Sequence, residues 1–164
     1  MSNITLIGMP GSGKSTVGVL LAKTLGRGFL DTDLVIQQQE YALLQDILTY
    51  FLDAEERAVR SVRCDHCVIA PGGSVVCREG AINHLKSMGP VIYLRVPLEE
   101  LKSRIHNLDS RGIALEPGQT LEDILTLRAP LYEQYADGVV DALPGQELAQ
   151  TVSHVLALLE KGLP

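Results

Sequence analysis

An α/β fold, with a five-stranded parallel sheet covered by helices on both faces, is predicted by three observations. Five short apolar runs alternate with longer stretches of helical periodicity. Such alternation implies right-handed crossovers between parallel strands, with ligands beyond the carboxyl ends of those strands. Finally, 164 residues suit one domain with an ample core, and a hydrophobic content of 46% argues against a disordered chain.

The elements follow in order. Residues 3–8 are the first strand, and residues 14–25 the first helix, with a glycine-rich loop between them. A short run at 29–30 is the second strand. Residues 34–51 read as an interrupted helix and 54–63 as the next one. The third strand, 67–70, leads through a turn at 71–74 to a helix at 78–87. The fourth strand, 90–95, leads to a helix at 98–106. Residues 108–119, with Asp109, Gly112, Pro117 and Gly118, form a surface loop with room for function. A helix at 121–135, a fifth strand at 138–142 and a helix at 147–159 complete the chain. In the last helix Leu148, Val152, Val155, Leu156 and Leu159 repeat as a core-facing stripe.

Bulk properties exclude several classes. Fourteen basic residues against 20 acidic ones give a net charge of −6, with both signs spread along the chain, so no nucleic-acid partner is expected. No run of about 18 apolar residues predicts a membrane span. Residues 1–9 lack a basic leader, and Cys64, Cys67 and Cys77 are too few and too clustered for a disulfide framework. The expectation is a cytoplasmic monomer acting on a small molecule. Cys64-Asp65-His66-Cys67 has the spacing of half a zinc knuckle, but no second pair follows, and ordinary cysteines are expected.

The strongest signal is Gly8-Met-Pro-Gly-Ser-Gly-Lys14-Ser15-Thr16, a complete G-x-x-x-x-G-K-[ST] phosphate loop placed between a strand and a helix. Backbone N–H groups of such a loop turn inward around phosphates, and the helix N-terminus adds favourable electrostatics. Gly11, Ser12, Gly13, Lys14, Ser15 and Thr16 are therefore the expected ATP contacts. Lys14 reaches the β- and γ-phosphates, and the Ser15 hydroxyl coordinates Mg2+. No Asn-Lys-x-Asp appears to read guanine, and the chain is short for motor modules. Small-molecule kinases remain the main class.

Asp31-Thr32-Asp33 follows the second strand. Two alternating carboxylates suit different partners, one a magnesium-bound water and the other a substrate hydroxyl. Asp33 suits a helix N-cap equally well, and the residues alone leave both roles open, although a position one helix after the phosphate loop favours function.

The combination of Gly8–Thr16, Asp31–Asp33, Arg57, Gly72-Gly73-Ser74, Arg111, Arg128-Ala129-Pro130-Leu131-Tyr132 and Ala136-Asp137 resembles the shikimate kinase family over nearly the whole chain. The resemblance implies a P-loop kinase fold in a single domain, 1–164, with a substrate-binding segment at about 33–63 and a lid at about 107–119. It implies ATP and Mg2+ as cofactors and shikimate, or a similar small hydroxylated carboxylic acid, as acceptor. By the same resemblance Asp31 helps hold magnesium through water, and Asp33 binds and helps deprotonate the attacking hydroxyl. Arg57 and Arg128 grip the carboxylate, and Gly72 and Gly73 offer backbone to the ring hydroxyls. Lys14 and Arg111, the latter from the lid, surround the moving phosphoryl group. Paired guanidinium forks suit a carboxylate, and a cationic lid stabilises phosphoryl charge.

The chain departs from the family pattern at four places. Where the family has Phe-Arg-x-x-Glu, the segment around Arg57 reads Glu56-Arg57-Ala58-Val59-Arg60. Ser74 replaces a third glycine. The lid reads Arg111-Gly112-Ile113. Asn107 stands where an arginine often packs on adenine, which makes Arg104 the candidate for that role. Arg57 also suits a solvated helix face, given its charged neighbours. Two alternatives stand beside shikimate phosphorylation: a related P-loop kinase with another small acceptor, and a nucleotide-binding regulatory paralogue without turnover.

Overall fold

The computed structural model describes residues 2–46, 50–105 and 118–163. Five strands, Ile4–Ile7 (β1), Gly28–Asp31 (β2), Cys67–Ala70 (β3), Val91–Arg95 (β4) and Gly138–Asp141 (β5), form one sheet in the order β2-β3-β1-β4-β5. Every pairing is parallel, with Thr5 opposite Ile69 on one side and Val91 on the other. The helices are Lys14–Leu25 (α1), Thr32–Glu40 (α2), Phe51–Ser61 (α3), Glu79–Met88 (α4), Leu98–Arg104 (α5), Leu121–Tyr135 (α6) and Leu148–Glu160 (α7). Central strands covered on both faces must be apolar throughout, which is why β1, β3 and β4 are nearly continuous hydrophobic runs.

Alternation along the strands divides the core. Ile4, Leu6, Ile92 and Leu94 pack with Val17 and Leu21 of α1 and with Val152 and Val155 of α7. Ile7, Val91 and Tyr93 point the other way, toward Val59, Ile82, Leu85, Ile124 and Tyr132 of α3, α4 and α6. Each such fully buried side chain contributes about 1.5–3 kcal/mol of transfer free energy. A smaller apolar cluster, Ile36, Phe51, Ala54 and Ala58, joins α2 to α3.

The amino ends of the strands are tied by side chains. The Asn3 carboxamide donates to the Cys64 carbonyl (2.7 Å) and accepts from the Cys67 N–H (2.9 Å), so the Cys-Asp-His-Cys segment is a turn at the start of β3. Asp137 accepts from Val91 N (2.8 Å) and Lys86 Nζ (2.7 Å), which joins the ends of α4 and α6 to β4. The Ala136-Asp137 pair thus holds the scaffold together.

Two expected boundaries shift by more than two residues. The interrupted helix ends at Glu40, because Tyr41 takes a left-handed conformation (φ 52°) that closes it, and a 3-10 turn at Leu44–Asp46 follows. Phe51 opens α3 three residues before its expected start, drawn in by burial against Ile36. Most of the expected lid, including Arg111, lies outside the described residues.

Candidate active site

Beyond the carboxyl ends of the strands lies a polar cavity of 590 Å³. One wall is the phosphate loop. Gly11 (φ 79°) and Gly13 (φ 90°) adopt left-handed backbone there, and a Cβ on Gly11 would fall 2.7 Å from Ile105. Only glycine permits this curl. Lys14 is buried, and its Nζ donates to the carbonyls of Gly8 and Met9, each at 2.9 Å. Burial pulls its pKa down from 10.5 to about 8, while the charges of Asp33 and Asp31 act in the opposite direction.

Across the cavity the two aspartates of α2 take different roles. Asp31 is the N-cap: its Oδ1 accepts from the Asp33 N–H (3.0 Å), and its Oδ2 accepts from the Ser15 hydroxyl (2.8 Å). A hydroxyl and a carboxylate held together at the start of α1 form a hard-oxygen donor set that suits Mg2+. Asp33, relieved of capping, sits in the first turn with Oδ1 buried and without a hydrogen-bond partner among the described residues. Burial raises its pKa from 3.8 to about 6; Asp31 adds to the rise and Lys14 opposes it. The cap, which the sequence left open for Asp33, thus falls to Asp31, and Asp33 lines the cavity instead.

The far wall is the segment after β3. Pro71, Gly72, Gly73 and Ser74 line the cavity, and Gly73 accepts a 2.5 Å hydrogen bond from the Tyr132 hydroxyl of α6. Tyr132 is fully buried and stacks on Tyr93 with ring centroids 5.0 Å apart. One turn earlier on α6, Arg128 is 7% exposed and lines the same cavity. Thr120 and Asp123 cap this helix reciprocally, and it runs through Pro130, whose missing N–H leaves the Thr126 carbonyl without its intrahelical donor.

Arg57 is not brought to this cavity. Its guanidinium is 58% exposed and pairs with Glu40 at 2.8 Å, beside a separate surface groove lined by Asp53, Glu56, Arg60 and Ser61. The helix has turned a different face inward. Ala54 and Ala58 pack on α2, which directs Phe51 and Glu55, one turn apart, toward the site. Phe51 lines the cavity, and Glu55 is fully buried with Oε2 accepting from Ser74 Oγ at 2.6 Å. The Phe-x-x-x-Glu spacing is therefore met by Phe51 and Glu55. This leaves the half-buried Leu52 at the arginine position of that motif and corrects the register that had been centred on Arg57.

At the opposite end, Arg104 lines the cavity and pairs with Glu100 at 2.9 Å. Gln146, which no sequence motif marks, and Leu148, expected on the core-facing stripe of the last helix but 38% exposed at its first turn, complete this end. Gln146 is held by the Leu143 N–H (2.8 Å) and by His154 Nδ1 (3.2 Å).

The family model that matches the chain is that of shikimate kinase, over residues 10–160. A shikimate kinase from Paracidovorax citrulli is 36% identical over 169 residues, covering 96% of this chain and 92% of its own length. One from Pseudomonas paraeruginosa is 39% identical over 149 residues, covering 86% and 87%. Among solved structures, a shikimate kinase from Acinetobacter baumannii in complex with shikimate superposes with a TM-score of 0.85 at 30% identity, covering 100% of this chain and 96% of that one.

Proposed function

This chain belongs to the shikimate kinase family, and on that premise we propose that it transfers the γ-phosphoryl group of ATP to shikimate, giving ADP and shikimate 3-phosphate. The observation that carries the reading is the Asp33 carboxylate, whose Oδ1 is buried with no hydrogen-bond partner among the described residues. It shares the cavity with Lys14 of the phosphate loop and with Arg128 on α6.

Each residue supports one part of an in-line transfer. Gly11, Ser12, Gly13 and Thr16 cradle the phosphates, and Lys14 supplies charge to their oxygens. Ser15 and Asp31 would hold Mg2+, which would neutralise phosphate charge there. Asp33 accepts the proton of the attacking hydroxyl and orients it; its raised pKa suits a base working near neutral pH. Arg128 binds the acceptor carboxylate, and the Gly72–Gly73 backbone approaches the ring. Arg104 borders the nucleotide base together with Gln146 and Leu148. Arg111, outside the described residues, is the expected further charge for the phosphoryl group. Positioning and charge neutralisation carry the rate.

Among the described residues no helix is long and apolar enough to cross a membrane, and Cys64, Cys67 and Cys77 are free. Free cysteines support a reducing compartment, and the proposal is a single-domain cytoplasmic monomer.

ADP release with ATP and Mg2+, measured with and without shikimate, tests the reading. Shikimate-dependent release that is lost in Lys14→Ala and Asp33→Ala is the expected result. ATP binding with no stimulation by shikimate would overturn it.

A further inference from the structure

Glu55 has no part in the reaction outlined above, yet it is as deeply buried as the core leucines. A carboxyl in such a place is costly to ionise unless its oxygens are satisfied. Only one of them is: Oε2 accepts from Ser74 Oγ at 2.6 Å, whereas Oε1 has no partner among the described residues. The orphan oxygen presses on Gly72. A Cβ on that residue would lie 2.3 Å from Glu55 Oε1 and 3.2 Å from Asp33 Oδ1. Two orphan carboxylate oxygens, from α3 and α2, thus border the same glycine of the acceptor wall. The charged groups that act on Glu55 are Asp33 of α2, Arg128 of α6 and Lys14 of α1. Ser74 stands where the resembling family has a third glycine, so the hydroxyl that holds Glu55 is a feature of this chain.

We propose that Glu55 is a proton-linked positioning residue for the acceptor. When protonated, it leaves Arg128 to the acceptor carboxylate. When ionised, it sets a second negative charge beside Asp33 and competes for the same guanidinium. The inference rests on the reading that the acceptor is an anionic hydroxy acid. Burial pushes the Glu55 pKa up from 4.5 to about 7; Asp33 adds to the rise, while Ser74, Arg128 and Lys14 oppose it. The change of state therefore falls near neutral pH.

The test is the shikimate KM and kcat from ADP release between about pH 6 and 8 at saturating ATP and Mg2+. In the wild type KM should rise up to about tenfold across this range, the factor by which the protonated fraction of a group titrating at about 7 declines. Glu55→Gln should flatten the profile. Ser74→Ala should move the break to higher pH, since it removes a hydrogen bond that favours the ionised form. A KM independent of pH in the wild type, or a break that persists in Glu55→Gln, overturns the inference. If Glu55→Gln does not fold, an unmoved break in Ser74→Ala does the same. Absence of shikimate-dependent release at every pH would overturn the shikimate reading and this inference with it, whereas turnover without a Glu55-dependent break overturns the inference alone.

Discussion

Replacing Tyr132 by phenylalanine deletes one oxygen from the acceptor wall and leaves the packing in place. The ring is fully buried and stacks on Tyr93, so no cavity of consequence opens. What is lost is the hydrogen bond to the Gly73 carbonyl, together with the hydroxyl's contacts with Met9 Sδ (3.9 Å) and the Arg128 side chain. An orphaned buried acceptor costs about 1–3 kcal/mol, but Gly73 borders the cavity, where water can replace the hydroxyl. The expected loss is therefore about 1–2 kcal/mol. For a domain of this size each kcal/mol moves Tm by about 2–4 °C, so the drop should be about 2–8 °C by calorimetry. Burial holds the Tyr132 hydroxyl well above the usual tyrosine range, so the difference should be constant from about pH 5 to 9. Because the bond pins Gly73, the shikimate KM should also rise several-fold while the ATP KM changes little. A Tm within about 1 °C of wild type together with an unchanged shikimate KM would refute the idea that α6 clamps this loop.

Arg128→Ala should raise the shikimate KM by about 30-fold or more, the loss of a buried charge partner being about 2–5 kcal/mol. Arg57→Ala should change it less than about fivefold, since an exposed pair contributes about 0.2–1 kcal/mol; equal effects of the two substitutions would sink this contrast. Asp31→Asn should raise the Mg2+ concentration for half-maximal ADP release by about 10–100-fold, and an unchanged requirement would count against the Ser15–Asp31 donor set. Glu55, raised from 4.5 to about 7, binds its proton more tightly in the folded than in the unfolded chain. Its stabilising contribution is complete below about pH 4.5 and is lost as pH rises through about 7. The Tm of Glu55→Gln relative to wild type should therefore climb between about pH 5 and 8, and a flat difference would contradict the raised pKa.

Where local sequence alone sets the geometry, expectation and structure coincide. The helices at 14–25 and 121–135 and the strand at 67–70 have the predicted limits. Gly26 closes the first of these in a left-handed cap, and the Thr120–Asp123 box opens the second. Both signals are carried by residues within one turn of the boundary. The division of Asp31 and Asp33 between capping and an open carboxylate was not legible, because either spacing satisfies a cap until the end of β2 fixes where α2 begins. Gln146 carries no motif and Leu148 is expected in the core, and both reach the cavity because the chain passes beyond β5 at the carboxyl end of the sheet.

The run Glu55-Glu56-Arg57 makes the same division within a single helix. Its charges are consecutive, and successive residues on a helix point about 100° apart, so composition cannot say which of them faces inward. Phe51, four residues before Glu55, carried the available signal. The rotation of α3 is decided by Ala54 and Ala58 packing on Ile36 of α2, a contact between segments joined by a long connection. Short-range periodicity and fixed spacings suffice to specify the phosphate loop, the alternation that builds a parallel sheet, and the family. Tertiary packing decided that Arg57 faces solvent and that Glu55 and Asp33 both border Gly72, because the orientation of a helix about its own axis is set by the surface it is packed against.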